Sequence, residues 1–303
     1  MGITYYEARS LWEARLAGKS FERMAMIAHQ RVYLHPAELE TLRTDIRKRE
    51  KSGNPTPLSD YKFGEYIDRF CRELLGVNRL DIIDYSPYEG ATIVHDMNQP
   101  IPDNMKDCFD LVLEGGSLEH IFAFPVAMGN LMQMVKTGGT MFLTTPANNL
   151  CGHGFYQFSP ELMFRVFCPE NGFEAPSVMF LEASFPSVEL TPARGLFQVT
   201  DPAAVGGRVA LRSSRPVMMM VQAKKIKHVK PFQTPPLQSD YVALWNEGDP
   251  SGGTTEKQNW MGKDTLKRLI QSMPDSWRNR ISGYRENLEC SLRNKRFYRN
   301  LNG

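Results

Sequence analysis

The sequence predicts an α/β fold: a mostly parallel sheet with helices on both faces, followed by a helical C-terminal extension. Three observations predict it. Residues 109–146 read F-D-L-V-L-E-G-G-S-L-E-H-I, then a helical stretch, then V-K-T-G-G-T-M-F-L-T-T-P. That is an apolar strand, a glycine turn, a crossover helix and a second apolar strand, the repeating unit of an open parallel sheet. Apolar strand-like runs also alternate with helical stretches from Met24 to Val221. Finally, 42% of the 303 residues are hydrophobic, enough for a sizeable core.

The elements follow in order. Residues 4–16 mix apolar and charged residues at helical spacing and predict a short helix. Residues 24–27 form the first apolar run, followed by Ala28-His29-Gln30 and Val32-Tyr33-Leu34. His35-Pro36 marks a boundary, and 36–50 read as a charged helix. Residues 51–60, K-S-G-N-P-T-P-L-S-D, are a loop by composition. Residues 61–75 carry Phe63, Tyr66, Ile67, Phe70, Leu74 and Leu75 at helical spacing, and Gly76 is placed to cap them.

Strands are expected at 80–85, 91–94, 109–113 and 140–144, with a Met- and Leu-rich helix at 124–135 before the last of these. Ser159-Pro160-Glu161 opens another helix, with serine at the cap and proline at the first position. Further strands are expected at 178–181 and 216–224, with a Pro- and Gly-rich excursion at 186–207. Helices are expected at 263–270 and 277–298.

This divides the chain into an N-terminal helix (1–20), an α/β domain (21–230), a linker (231–255) and a basic helical extension (256–303). Residues 261–303 hold ten Lys/Arg against four Asp/Glu. That excess reads either as a solvated helix face or as a contact surface for a protein partner or a second copy.

The formal charge of +2 gives no reason to invoke nucleic acid as a partner. No apolar run approaches the ~18 residues that span a bilayer, and residues 1–15 lack the apolar centre of a signal peptide. The five cysteines, Cys71, Cys108, Cys151, Cys168 and Cys290, are scattered and form no C-x-x-C pair. Neither a disulfide framework nor a metal site is expected from them, and a reducing cytoplasm is the expected compartment.

Chemistry-bearing residues collect at strand ends. Asp84 closes the strand 80–83 and is followed by Tyr85; Asp96 and Met97 follow the strand 91–94. Each acid can serve a ligand or simply start a turn. Glu114-Gly115-Gly116 tips the strand 109–113, where glycines let backbone approach a ligand closely. His120 is either a base near neutral pH or a histidine bonded to backbone. Asn148 closes the strand 140–144 region, and the loop G-H-G-F-Y-Q-F brings His153 and Tyr156. Phe155 and Phe158 read equally well as aromatics that pin that loop.

Three segments together, A-T-I-V-H-D-M-N-Q-P-I-P at 91–102, S-L-E-H at 117–120 and G-H-G-F-Y-Q-F-S-P-E-L at 152–162, resemble a divergent group of Rossmann-like S-adenosylmethionine-dependent methyltransferase domains. The resemblance covers about residues 22–246, including Q-S-D-Y-V-A-L-W at 238–245. It implies S-adenosylmethionine as cofactor and transfer of a methyl group, O-directed, to a sugar, glycan or small metabolite. It implies Asp84 and Tyr85 at the adenosine ribose and Asp96 and Met97 at the adenine. Glu114, Gly115 and Gly116 fall where methyl group and acceptor meet. His120 and His153 fall to catalysis, and Asn148, His153 and Tyr156 to the acceptor.

The departure from the family is the loop after the first strand. No G-x-G-x-G occurs; Ile27-Ala28-His29-Gln30 stands in its place. Ala28, His29 and Gln30 either contact the cofactor's methionyl part or block it. The alternative is therefore a non-catalytic binding module that has lost its cofactor. A nicotinamide dinucleotide enzyme requires a glycine-rich pyrophosphate turn, which this chain lacks.

Overall fold

The computed structural model describes residues 2–50, 58–247, 277, 280, 283 and 287–302. In chain order the elements are β1 (Gly2–Ile3), α1 (Tyr5–Leu16), β2 (Arg23–Ile27), β3 (Arg31–Val32), α2 (Pro36–Glu50), α3 (Asp68–Phe70), β4 (Arg79–Asp84), β5 (Ile93–Val94) and β6 (Phe109–Glu114). They continue with α4 (Phe124–Met134), β7 (Val135–Asn148), α5 (Pro160–Val166), β8 (Ser177–Glu182), β9 (Gly195–Val199), α6 (Pro202–Val205), β10 (Val217–Lys224), α7 (Ser239–Glu247) and β11 (Tyr298–Asn300).

Nine strands form one sheet in the order β11-β9-β8-β10-β7-β6-β2-β4-β5. The pairs β2–β4, β2–β6, β4–β5 and β6–β7 are parallel. β10 runs antiparallel to both β7 and β8. Side chains of one strand alternate between faces, and the core shows it. Ala25 and Ile27 of β2 join Val112 of β6 in the cluster under α4 and α5. Met24, Met26, Leu111 and Leu113 point into the opposite cluster, under α1, α2 and the residues around Phe70. The central strands are thus buried on both faces, which explains their unbroken apolar runs. This is the expected Rossmann-like α/β architecture: a mixed sheet with a mostly parallel core and helices on both faces.

Asp110, at the start of β6, accepts the Arg23 N–H (2.9 Å) and pairs with Lys136. Those two sequence signals therefore tie the sheet together at the end away from the strand tips. Gly76 adopts φ 68° and donates its N–H to the Cys71 carbonyl, the expected cap.

Four expectations are corrected. The helix expected at 61–75 forms only from Asp68, continued by a wider helical turn at Cys71–Leu75. Residues 61–67 are drawn to the segment after β2 instead: Ile67 N–H donates to Gln30 O (3.1 Å), and Tyr61 Oη bridges Leu34 N–H (2.7 Å) and Val32 O (2.8 Å). The excursion at 186–207 contains β9 and α6. The linker at 231–255 contains α7. The helix expected to run through Tyr298 gives way to β11, paired antiparallel with β9.

Tyr298 is 2% exposed and its hydroxyl donates to Ala210 O (2.8 Å), so the chain end returns to the core as sheet edge. The loop expected at 51–57, the linker residues 248–255 and the helix expected at 263–270 lie outside the described residues. Among the described residues no helix is long and apolar enough to cross a membrane.

Candidate functional site

In open α/β sheets, ligands bind outside the carboxyl ends of the strands where the strand order reverses. Here β2 lies between β4 and β6, and a cleft of about 320 Å³ opens at their C-terminal tips. Ile27 and Ala28 from the end of β2, Ile83, Asp84 and Tyr85 from β4, His95 to Asn98 from the segment after β5, and Ser117, His120 and Ile121 from the turn after β6 line it. Five of the residues expected from sequence to serve cofactor binding therefore share one wall: Ala28, Asp84, Tyr85, Asp96 and Met97.

Their geometry suits a nucleoside. Asp84 is half-buried, and its Oδ1 accepts the Tyr85 N–H (2.6 Å). Asp96 Oδ1 accepts the Asn98 N–H (2.9 Å) and side-chain amide (2.8 Å). Those bonds hold its carboxyl below the ordinary range, so it stays an acceptor. Met97, 6% exposed, gives an apolar surface beside it.

Ala28 adopts φ 53°, a left-handed conformation that glycine takes most easily, and its N–H donates to Ile83 O (2.9 Å). The backbone turn that a glycine loop supplies is present without the glycine.

The other two residues of that loop do not reach the cleft. His29 is held on both ring nitrogens, by Glu89 O (2.8 Å) and Asp68 (2.7 Å), and stacks on Tyr66 at 3.8 Å. Gln30 is 3% exposed; its amide donates to Ile27 O (2.9 Å), and its carboxamide packs against Gly115. Neither lines the cleft.

Glu114 is likewise corrected. It is 1% exposed, and one oxygen accepts N–H groups from Gly116 (3.0 Å), Ser117 and Leu118 (2.9 Å). It organises the turn after β6 and does not line the cleft. Gly115 and Gly116 do not line the cleft either; Gly115 borders a neighbouring cavity, and a Cβ on it would meet the Gln30 side chain.

That second cavity, about 660 Å³, is bounded by Glu7, Tyr33, Gly115, Thr144, the loop at 149–153 and Met218, among others. Apart from Gly115 and the loop at 149–153, its walls come from segments far apart in sequence that no local signal marks. His153 lines this cavity and His120 lines the cleft; their rings meet edge-on with centroids 5.0 Å apart. Partial burial lowers the pKa of both, and His120 lowers that of His153 further, which favours the neutral imidazole in each.

Glu119, fully buried, stands 3.4 Å from His153 Nε2 and 3.9 Å from His120 Nε2. Burial raises its pKa and the nearby Glu114 raises it again. Sequence reading passed over Glu119, although its place beside His120 was visible.

Tyr156 does not face a ligand. Its hydroxyl donates to Phe122 O (2.7 Å) and its ring packs on Phe124 and Phe158. Asn148 ends β7 opposite Val217 and lines neither cavity, as the strand pairing turns it aside. Exposed instead are Phe122 and Phe155, whose rings meet edge-on at 6.3 Å.

No family model and no curated protein matches this chain. Among solved structures it is similar to an S-adenosylmethionine-dependent methyltransferase from Thermotoga maritima, with 12% identity, 72% of this chain and 89% of that one covered, and a TM-score of 0.39. It is also similar to the N-methyltransferase NodS from Bradyrhizobium japonicum in complex with S-adenosylhomocysteine (11%, 73% and 87%, TM-score 0.37). A third is the 1,6-didemethyltoxoflavin-N1-methyltransferase from Burkholderia thailandensis (10%, 73% and 78%, TM-score 0.35).

Proposed function

We propose that this chain is an S-adenosylmethionine-dependent methyltransferase acting on a hydroxyl of a sugar, glycan or small metabolite. The observation that carries the reading is the convergence of Ala28, Asp84, Asp96 and Met97 on one cleft at the tips of β2, β4 and β5. Asp84 offers a carboxylate to the two ribose hydroxyls, Asp96 an acceptor to the adenine amino group, and Met97 a surface for the ring. The left-handed turn at Ala28 brings backbone up to the methionyl part. The cleft volume falls at the lower end of the range of about 300–1,000 Å³ usual for small-molecule sites.

The cofactor supplies an electrophilic methyl group; alignment of the acceptor then provides much of the rate. The acceptor's place is the second cavity, which the cleft adjoins through the His120–His153 pair. A neutral imidazole there is in the right form to take a hydroxyl proton.

Calorimetric titration with S-adenosylhomocysteine, then a mass-spectrometric screen of hydroxylated sugars and metabolites, tests this. Saturable binding and a methylated product are expected. An absence of binding at millimolar ligand would leave the non-catalytic module as the reading.

A further inference from the structure

We propose that Glu119, His120 and His153 form a binding site for one divalent first-row transition-metal cation, with a coordination position left open for an oxygen of the acceptor. One donor atom from each of the three residues lies within 4.8 Å of the others. Donors about 2.1 Å from a tetrahedral centre stand about 3.4 Å apart. Glu119 Oε1 already lies 3.4 Å from His153 Nε2 and 3.9 Å from His120 Nε2. Small ring rotations bring all three onto one ion.

An independent observation points the same way. Both carboxylate oxygens of the fully buried Glu119, and Nε2 of His153, are buried with no hydrogen-bond partner. A buried, unpartnered carboxylate is costly, and a cation satisfies it. The donors are also held in place. Glu119 O accepts N–H groups from Phe155 (2.8 Å) and Tyr156 (3.3 Å), which locks the His153 loop onto the Glu119 turn. Gly154 lies so close that a Cβ there would sit 2.9 Å from Glu119 Cγ.

The donor chemistry sets the class of ion. One carboxylate and two imidazoles suit zinc, cobalt, iron or manganese better than magnesium, which prefers oxygen ligands alone. Three protein ligands leave at least one position open, as in catalytic rather than structural sites. His120 and His153 are partly exposed, to the cleft and the second cavity respectively, so that position faces the junction between them. With the ion bound, both imidazoles are ligands, so the cation takes over from an imidazole base: it makes a hydroxyl oxygen bound there more acidic, and the proton leaves to water. The metal site stands on its own geometry; only its use by an acceptor rests on the methyltransferase reading.

The test is a titration of the chelator-stripped full chain with Co²⁺, read by visible absorption, beside calorimetry with S-adenosylhomocysteine. One equivalent of Co²⁺ is expected, with the strong visible bands of four- or five-coordinate nitrogen and oxygen ligation. Glu119→Gln and His153→Gln are each expected to weaken it by more than about 100-fold. His153→Gln, a change at a partly exposed loop position, is expected to keep the parent's melting temperature and homocysteine-analogue affinity. Absence of saturable bands, a near-ultraviolet thiolate charge-transfer band, or unchanged binding in His153→Gln would each overturn the site. Intact Co²⁺ binding without any homocysteine-analogue binding supports the metal site and removes the cofactor reading instead.

Discussion

Gly154 and the backbone of Glu119 are in such close contact that a Cβ on Gly154 would lie 2.8 Å from the Glu119 carbonyl oxygen. Gly154 also has φ 82°, so a side chain there is unfavourable twice over. Gly154→Ala is expected to cost about 1–2 kcal/mol from the backbone conformation alone. The loop must also shift away from Glu119. Urea denaturation measures the cost, and a parent-like midpoint would show that the loop accommodates a methyl group freely.

Asp84→Ala removes the acceptor expected to hold two ribose hydroxyls. Affinity for S-adenosylhomocysteine should fall by about 1.5–3 kcal/mol, the range for hydrogen bonds to a charged group. Calorimetry of parent and variant decides it. Equal affinities would make Asp84 a turn residue that only caps the Tyr85 N–H.

Ala28→Gly tests whether the loop retains the form of a glycine turn. A left-handed alanine costs about 1–2 kcal/mol, whereas glycine costs about 0.5–1 kcal/mol in chain entropy. The variant is expected to be as stable as the parent or more stable, by up to about 1 kcal/mol, and to bind the homocysteine analogue at least as well. Thermal melts with and without ligand read both effects; a clear loss of stability would contradict the assigned strain.

Tyr298 carries the test of the C-terminal segment. Buried against Phe180 (5.7 Å between rings) and bonded to Ala210 O, it anchors β11 to the sheet. Tyr298→Ala should destabilise by about 3–5 kcal/mol, as large aromatic truncations in cores do. An unchanged unfolding midpoint would show the segment to be dispensable to the domain.

Glu7 predicts a pH dependence. It lies in the first turn of α1, 3% exposed, and accepts the Thr4 N–H (2.7 Å) in a capping box. Burial pushes its carboxyl above the ordinary carboxylate range. The native state therefore holds this proton more tightly than the unfolded chain. Its contribution to stability is full below the unfolded value of about 4.3 and is lost as pH rises through the native value. Glu7→Gln keeps the capping box and removes the titration. Its stability relative to the parent should rise as pH is increased across that window. Denaturation midpoints at a series of pH values measure it, and parallel curves would contradict the shift.

The sheet and part of its cleft were legible in the sequence because they depend on local pattern. A strand buried on both faces must be apolar throughout, so β2, β6 and β10 stood out. An acid at the tip of such a strand, as at Asp84 and Asp96, is placed at the ligand-binding edge by the strand itself. Tertiary structure alone decided where the side chains beyond those tips point. His29 turns to Asp68 and Glu89, Glu114 turns to three N–H groups of its own turn, and Tyr156 turns to Phe122. Each satisfies a polar group whose partner the one-dimensional pattern does not reveal. The same holds for β11, since pairing with β9 spans about a hundred residues and depends on an edge that exists only once the sheet is built. The meeting of Glu119, His120 and His153 is likewise decided by the loop that Gly154 allows onto the Glu119 backbone. Local residue types determined the strands and their acidic tips; long-range packing and hydrogen bonding determined which side chains are free to do chemistry.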